Sequence, residues 1–194
     1  MKGPADLTRL SRLCLSCGLC CNGVLFAEVC LVRGDDPAVL RAAGLPIEPR
    51  RPPRTTPDPA ASEPPAQLLP WRLRQPCAAL APNRTCVVYQ GRPARCRTFE
   101  CALFQQVQAD AARFASVRRR ITATQRLVSR VNRLLVRLGE SDVRKALFAR
   151  IRTTRRRFER QIVEPETAAV YADLTLAAHQ LRLALDRDFC ARPK

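Results

Sequence analysis

The sequence predicts a mainly α protein with a small irregular α+β cysteine-rich domain and C-terminal antiparallel helices. Three observations predict it. Apolar or small residues recur in steps of three and four from Val107 to Leu138. A second such stripe follows Pro165. Two clusters of cysteines flank a proline-rich stretch in the N-terminal half, where periodic helical signal is absent. Aromatic residues are few and the apolar content leans on Ala, Leu and Val, which favours helices over a β-sandwich.

The C-terminal half reads as three helices. In the first, positions 107, 111, 114, 117, 121, 124, 128, 131, 135 and 138 keep one face apolar, and Gly139 is a natural stop. Ser141 is the expected cap of the second, whose face is Val143, Leu147, Ile151, Thr154, Phe158 and Ile162. Pro165 suits the first turn of the third, with Val170, Leu174, Ala177, Leu181 and Leu185 inward. The short connections at 139–141 and 163–165 favour antiparallel neighbours.

The N-terminal half is less regular. Gly23–Leu31 is apolar enough for one short strand, and Val87, Val88 and Tyr89 read as another. Residues 46–70 contain nine prolines and read as a solvated loop inserted into the domain. The expected organisation is a cysteine-cluster domain over 1–104, with 46–70 as its insertion, followed by a basic helical region over 105–190.

Ten cysteines in 194 residues require an explanation. No apolar run of signal-peptide or membrane-spanning length is present, so the cytosol is the expected compartment. There thiols stay reduced, and clustered cysteines read as metal ligands before they read as disulfides. Cys14, Cys17, Cys20 and Cys21 form C-x2-C-x2-C-C; Cys77, Cys86, Cys96 and Cys101 form C-x8-C-x9-C-x4-C. A two-residue gap lets two thiolates converge on one ion through a tight turn. Gly18 relaxes that turn and admits backbone amides to the sulfurs. His179 is the sole histidine and reads as an ordinary helix residue, so a zinc site or an iron–sulfur site would be all-cysteine. The first cluster partly follows the bacterial ferredoxin run and departs at its fourth position, so a [4Fe–4S] cluster would take its last ligand from 77–101. Adjacent Cys20 and Cys21, in an extended segment, would point to opposite sides; one serves the metal while the other packs, bridges or serves a second site. Cys30 and Cys190 fall outside the tight spacing and read as packing residues.

Cys14-Leu-Ser-Cys17-Gly-Leu-Cys20-Cys21, with Cys86-Val-Val-Tyr89-Gln-Gly-Arg92-Pro93-Ala-Arg-Cys96-Arg97-Thr-Phe99, resembles the YkgJ-type cysteine-cluster family over roughly residues 10–104. The resemblance implies chelation of zinc or iron by these cysteines. One branch of that family includes flagellin-lysine methylases. This chain shows no glycine-rich nucleotide loop, and that activity is not carried over. No catalytic residue is assigned. Four thiolates around Zn²⁺ or a [4Fe–4S]²⁺ core leave a net charge of about −2, which Arg92 and Arg97 would offset from a supporting position. The alternatives are an iron–sulfur-dependent protein-modifying enzyme and a zinc-stabilised nucleic-acid-binding protein. The second draws on charge: residues 101–163 hold 16 basic residues against four acidic ones. Such a surface would attract nucleic acid weakly, or an acidic protein, and no membrane.

Overall fold

The computed structural model describes residues 4–50, 68–160 and 164–190. It is mainly helical with one small antiparallel sheet. Helix α1 (Pro4–Cys17) is followed by strand β1 (Glu28–Val32), helix α2 (Pro37–Ala42) and strands β2 (Ile47–Pro49) and β3 (Leu68–Arg74). Helices α3 (Ala94–Thr98), α4 (Ala102–Ala109), α5 (Phe114–Arg137), α6 (Leu147–Phe158) and α7 (Pro165–Asp188) complete the chain.

Strand β3 lies between β1 and β2, pairing Leu73 with Val29 on one side and Ile47 on the other. Leu31, Ile47 and Leu73 bury one face of the sheet with Leu40 and Leu45, forming a small core. Its other face carries a charge ladder. Arg72 meets Glu28 at 2.6 Å and Glu48 at 3.6 Å, and Arg74 meets Glu48 at 2.5 Å. The ends of the proline-rich segment are therefore strands, not loop. Pro49 sits at the end of the edge strand β2, where its missing N–H costs little. The remainder of the expected loop, 51–67, lies outside the described residues.

A larger core joins the two halves of the chain. Leu10, Leu13, Leu19 and Val24 pack with Leu103 and Val107 of α4 and with the inner faces of α5 and α7. Arg120 pairs with Asp188, and Arg130 meets Asp173 at 3.8 Å, so α5 and α7 run antiparallel. Phe158 stacks on Tyr171, and Arg182 covers the ring of Phe148, so α6 is antiparallel to α7 too. Val170, Leu174, Ala177, Leu181 and Leu185 are all buried, as the stripe after Pro165 predicts.

Three local expectations change. The long first helix is interrupted at Asp110, whose side chain accepts from Ala112 N at 3.0 Å and starts a short 3₁₀ turn before α5. An aspartate that captures a nearby amide competes with helix continuation. The second helix begins at Leu147, not after Ser141. Glu140 and Asp142 take the amides of Asp142 and Arg144 into local turns, and Leu147 N donates to Gly23 O at 2.9 Å. Val143 is consequently exposed, and Ile162 lies outside the described residues. Val87–Tyr89 is a turn, touched by only an isolated bridge between Leu80 and Cys86. Val87 has no sheet to cover it and stands 70% exposed.

Candidate metal centre

The first cluster is built on a helix terminus. Cys14 and Cys17 stand three residues apart in the last turn of α1, on one side of it. Gly18 then adopts φ +66° and ends the helix, with Gly18 N donating to Cys14 O and Asn22 N to Gly18 O. Cys20 and Cys21 fall in the turn that follows, rather than in an extended segment. Gly23 has φ +78°, and a Cβ there would meet Pro76 and Ala146 at 3.1 Å. This close passage brings the second cluster alongside: Cys77 N donates to Cys21 O at 2.8 Å.

The second cluster comes from a tight loop and two helix beginnings. Cys77 and Cys86 flank a turn closed by Val87 N to Ala79 O at 3.0 Å. Cys96 lies in α3, and Cys101 is the residue preceding α4. The loop is fastened to the first cluster by Arg84, which donates to Ser16 O at 2.9 Å. Gln125 of α5 donates to the carbonyls of Ser16 and Cys17 at 2.9 and 3.0 Å. The free carbonyls at the end of α1 thereby gain a cation and two hydrogen bonds, which suit the negative end of a helix.

All eight clustered cysteines line one cleft of about 590 Å³, together with apolar side chains such as Phe26, Phe104 and Phe189. The eight thiols do not form one uniform group. Burial pushes Cys20 up, followed by the neighbouring charges of Cys17, Cys101, Cys21 and Cys14. Burial also pushes Cys17 up to about 12, with Cys101 and Cys14 contributing. Cys21 is raised to about 11, by burial and then by Cys77 and Cys86. Cys96 is raised to about 12, by burial and then by Cys21, Cys77 and Cys86 among its neighbours. Cys14 is raised to about 11; though the residue is exposed, burial of its sulfur comes first and Cys101 second. Cys20 and Cys21, adjacent in sequence, thus sit among largely different neighbours.

Backbone amides face several of these sulfurs and lower their pKa against burial. They come from Leu19 toward Cys17, from Ala79 and Leu80 toward Cys77, and from Phe104 and Leu103 toward Cys101. Amides aimed at sulfur stabilise the thiolate that a metal needs. Arg92 adds its charge, lowering Cys14, Cys21 and Cys96. Its guanidinium lies 3.7 Å over the Tyr89 ring, and Nε donates to Tyr89 O at 2.9 Å.

The other sequence-predicted residues fall outside the cleft lining. Arg97 is exposed on α3; Arg84 and Arg95 line the cleft instead. Cys30 is buried in β1, 3.8 Å from Glu28 Oε1, and Cys190 is exposed beyond α7. His179 is exposed on α7. Arg84 had a faint sequence signal in the Pro82-Asn83-Arg84 turn, where Arg84 takes φ +65°. Gln125 had none, because its contacts reach 108 residues back along the chain.

The donor set fits a thiophilic ion: eight sulfurs share one cleft, and amides or arginine offset part of the burial at six of them, Cys14, Cys17, Cys21, Cys77, Cys96 and Cys101. Among the described residues, no three His, Cys, Asp or Glu side chains stand close enough together to hold a metal ion. A cleft walled by paired cysteine clusters defines the class, a cysteine-cluster protein. The chain belongs to the CxxCxxCC family, described as "Putative zinc- or iron-chelating domain", which matches residues 13–116. No curated protein and no solved structure matches the chain.

Proposed function

We propose that the chain binds zinc or iron in two four-thiolate sites, one of Cys14, Cys17, Cys20 and Cys101, the other of Cys21, Cys77, Cys86 and Cys96. The observation that carries this reading is the shared cleft, in which Cys20 and Cys21 divide between two sets of neighbours. The first set has C-x2-C-x2-C spacing plus one remote cysteine. Bacterial ferredoxins begin with the same spacing, so this set suits a [4Fe–4S] cluster. The second set suits either tetrahedral zinc or an iron–sulfur centre. Such a centre supplies a structural tie between the clusters and, where it is iron–sulfur, an electron-transfer group. Arg92 offsets the excess negative charge of the thiolates, and Arg84 and Gln125 hold the end of α1 in position. Soluble metal chelation in the cytosol is the setting that fits reduced thiols.

Metal analysis of protein purified without oxygen tests the reading. Zinc or iron at two centres per chain is expected. Cys20→Ser and Cys21→Ser should each remove about one centre and spare the other. Loss of all metal, or of none, from either variant overturns the division into two sets.

A further inference from the structure

The arginines of this chain are used unequally. Arg150 is buried, donating to Asn132 Oδ1 at 2.6 Å and to Glu140 O at 2.9 Å. Arg120 binds Gln106 and Asp188, and Arg157 binds Leu138 O. These side chains hold the helices together. Along α5 another set, Arg130 apart, does no such work. At 100° per residue, Arg119, Arg126, Arg130, Arg133 and Arg137 fall within an arc of about 60° and extend about 27 Å along the axis. This arc faces away from buried Val117, Ile121, Thr124 and Val131. Arg119, Arg126, Arg133 and Arg137 are exposed, with no ion pair among the described residues. Arg130 alone touches an acid, Asp173, at 3.8 Å. Helix α5 itself contains no Asp or Glu.

We propose that this arginine stripe is a docking surface for the phosphate backbone of duplex nucleic acid. The partner must be an extended anion, because the charges lie in a row on a rigid helix and, among the described residues, only Arg130 meets an acid. A duplex presents a phosphate every 3.4 Å or so along each strand, enough for every arginine in the row. An acidic protein fits less well. Protein interfaces centre on aromatic or aliphatic anchors, and no aromatic or large aliphatic side chain of α5 falls within this arc. The one large apolar side chain exposed on α5, Val136, lies to one side. Arginines spaced along one exposed face meet phosphate oxygens, and phosphate contacts carry no sequence preference.

The test is fluorescence anisotropy of the full, metal-loaded chain with a labelled 20-base-pair duplex across a salt series. Five phosphate contacts predict a slope of log K on log salt of about −4.5. The triple variant Arg126→Gln, Arg133→Gln, Arg137→Gln should flatten that slope by about 2.7. The variant Arg152→Gln, Arg156→Gln, Arg160→Gln, in α6 and the turn after it, removes the same charge elsewhere and should flatten it by much less. Equal effects of the two variants would reduce the binding to net charge and overturn the stripe. Competition by poly-glutamate as strong as by unlabelled duplex would point to an acidic protein and overturn the nucleic-acid partner. Single-site Arg133→Gln, which disturbs the fold least, should flatten the slope by about 0.9; an unchanged slope, or no binding at low salt, overturns the proposal.

Discussion

Gln125, midway along α5, donates its side-chain amide to the main-chain carbonyl of Cys17 at 3.0 Å. The same amide reaches Ser16 O at 2.9 Å, so the helical core grips the end of the helix that carries the first two cysteines. Gln125→Ala should cost about 1 kcal/mol of stability, the usual worth of such bonds. Metal release to a chelator should accelerate more than global stability falls, because the loss is local to Cys14 and Cys17. Unchanged release kinetics would show that α5 does not brace the site.

Legibility followed the range of the interactions. Helix α7 could be read from Pro165 and its buried stripe, because helical periodicity is local. The β-sheet could be read only in part: the strand expected within Gly23–Leu31 is β1 at Glu28–Val32, but its partners were not legible. Ile47 pairs with Leu73 and Glu48 with Arg72 across the proline-rich segment, and nothing in 46–70 announces that partner. Val87 and Val88 have strand chemistry, yet the loop around Cys77 and Cys86 bends them into a turn. Helix α1 was not legible, because a two-residue gap between cysteines suits a tight turn as well as the helix end that Cys14 and Cys17 occupy. Differing surroundings for Cys20 and Cys21 could be expected from adjacency, though they lie in a turn and not in an extended segment; which cysteines lie near each could not, since Cys101 nears the first cluster through the docking of α4 on α1.

Asp188 is the buried anchor of the C-terminal end of α7. Burial would raise its pKa, but hydrogen bonds from Arg187 and Arg120 win and hold it below the usual value of 3.8. Its carboxylate is 1% exposed, closed off largely by those two guanidinium groups. A depressed carboxylate stabilises the fold above its unfolded pKa and loses that contribution as pH falls through the folded value. Asp188→Ala should therefore destabilise the chain by about 2 kcal/mol near pH 7. The deficit should shrink in strong acid. A deficit of the same size at pH 2 would contradict the charge argument.

The cysteines predict the opposite behaviour in base. Cys17 and Cys96 are held near 12 against a usual value of 9.0, with burial the leading cause. In the metal-free chain the folded state keeps protons that the unfolded state releases above pH 9. Stability from this source is complete below pH 9 and is lost as pH rises toward about 12. Metal-loaded protein has already lost these protons and should lack that decline. Urea titrations between pH 8 and 11 on both forms check this; parallel profiles would mean the thiols are not the ligands.

Cys190 and Cys30 should be dispensable for metal. Cys190 has a carboxylate, Asp186, 4.0 Å from its sulfur, and it is exposed. It also lies near Cys101, because Ala102 N donates to Phe189 O at 3.1 Å. Proximity alone would make it a rival ligand, so Cys190→Ser is the informative control. Full metal content is expected in Cys190→Ser, against a loss of about one centre in Cys96→Ser. Metal loss from Cys190→Ser would move Cys190 into the first set in place of another cysteine.

Arg92 provides the finest test of how the second cluster is tuned. Its guanidinium rests on the Tyr89 ring and donates to Tyr89 O, which fixes a charge that reaches Cys14, Cys21 and Cys96. These three belong to both proposed sets, so one arginine assists both. Arg92→Met removes the charge while keeping an apolar stem against Tyr89. Metal affinity should fall about tenfold, the lower range for a group that supports ligands without binding metal. Protons should then compete better, and the pH at which half the metal is lost should rise. Arg92→Lys should recover part of the affinity, because it restores charge without the Nε bond. Arg97→Met, altered at an exposed site outside the cleft, should match wild type. Competition with a chromophoric chelator from pH 5 to 8 measures all three. If Arg92→Met and Arg97→Met behave alike, Arg92 acts on the turn at Pro93 and not on the thiolates.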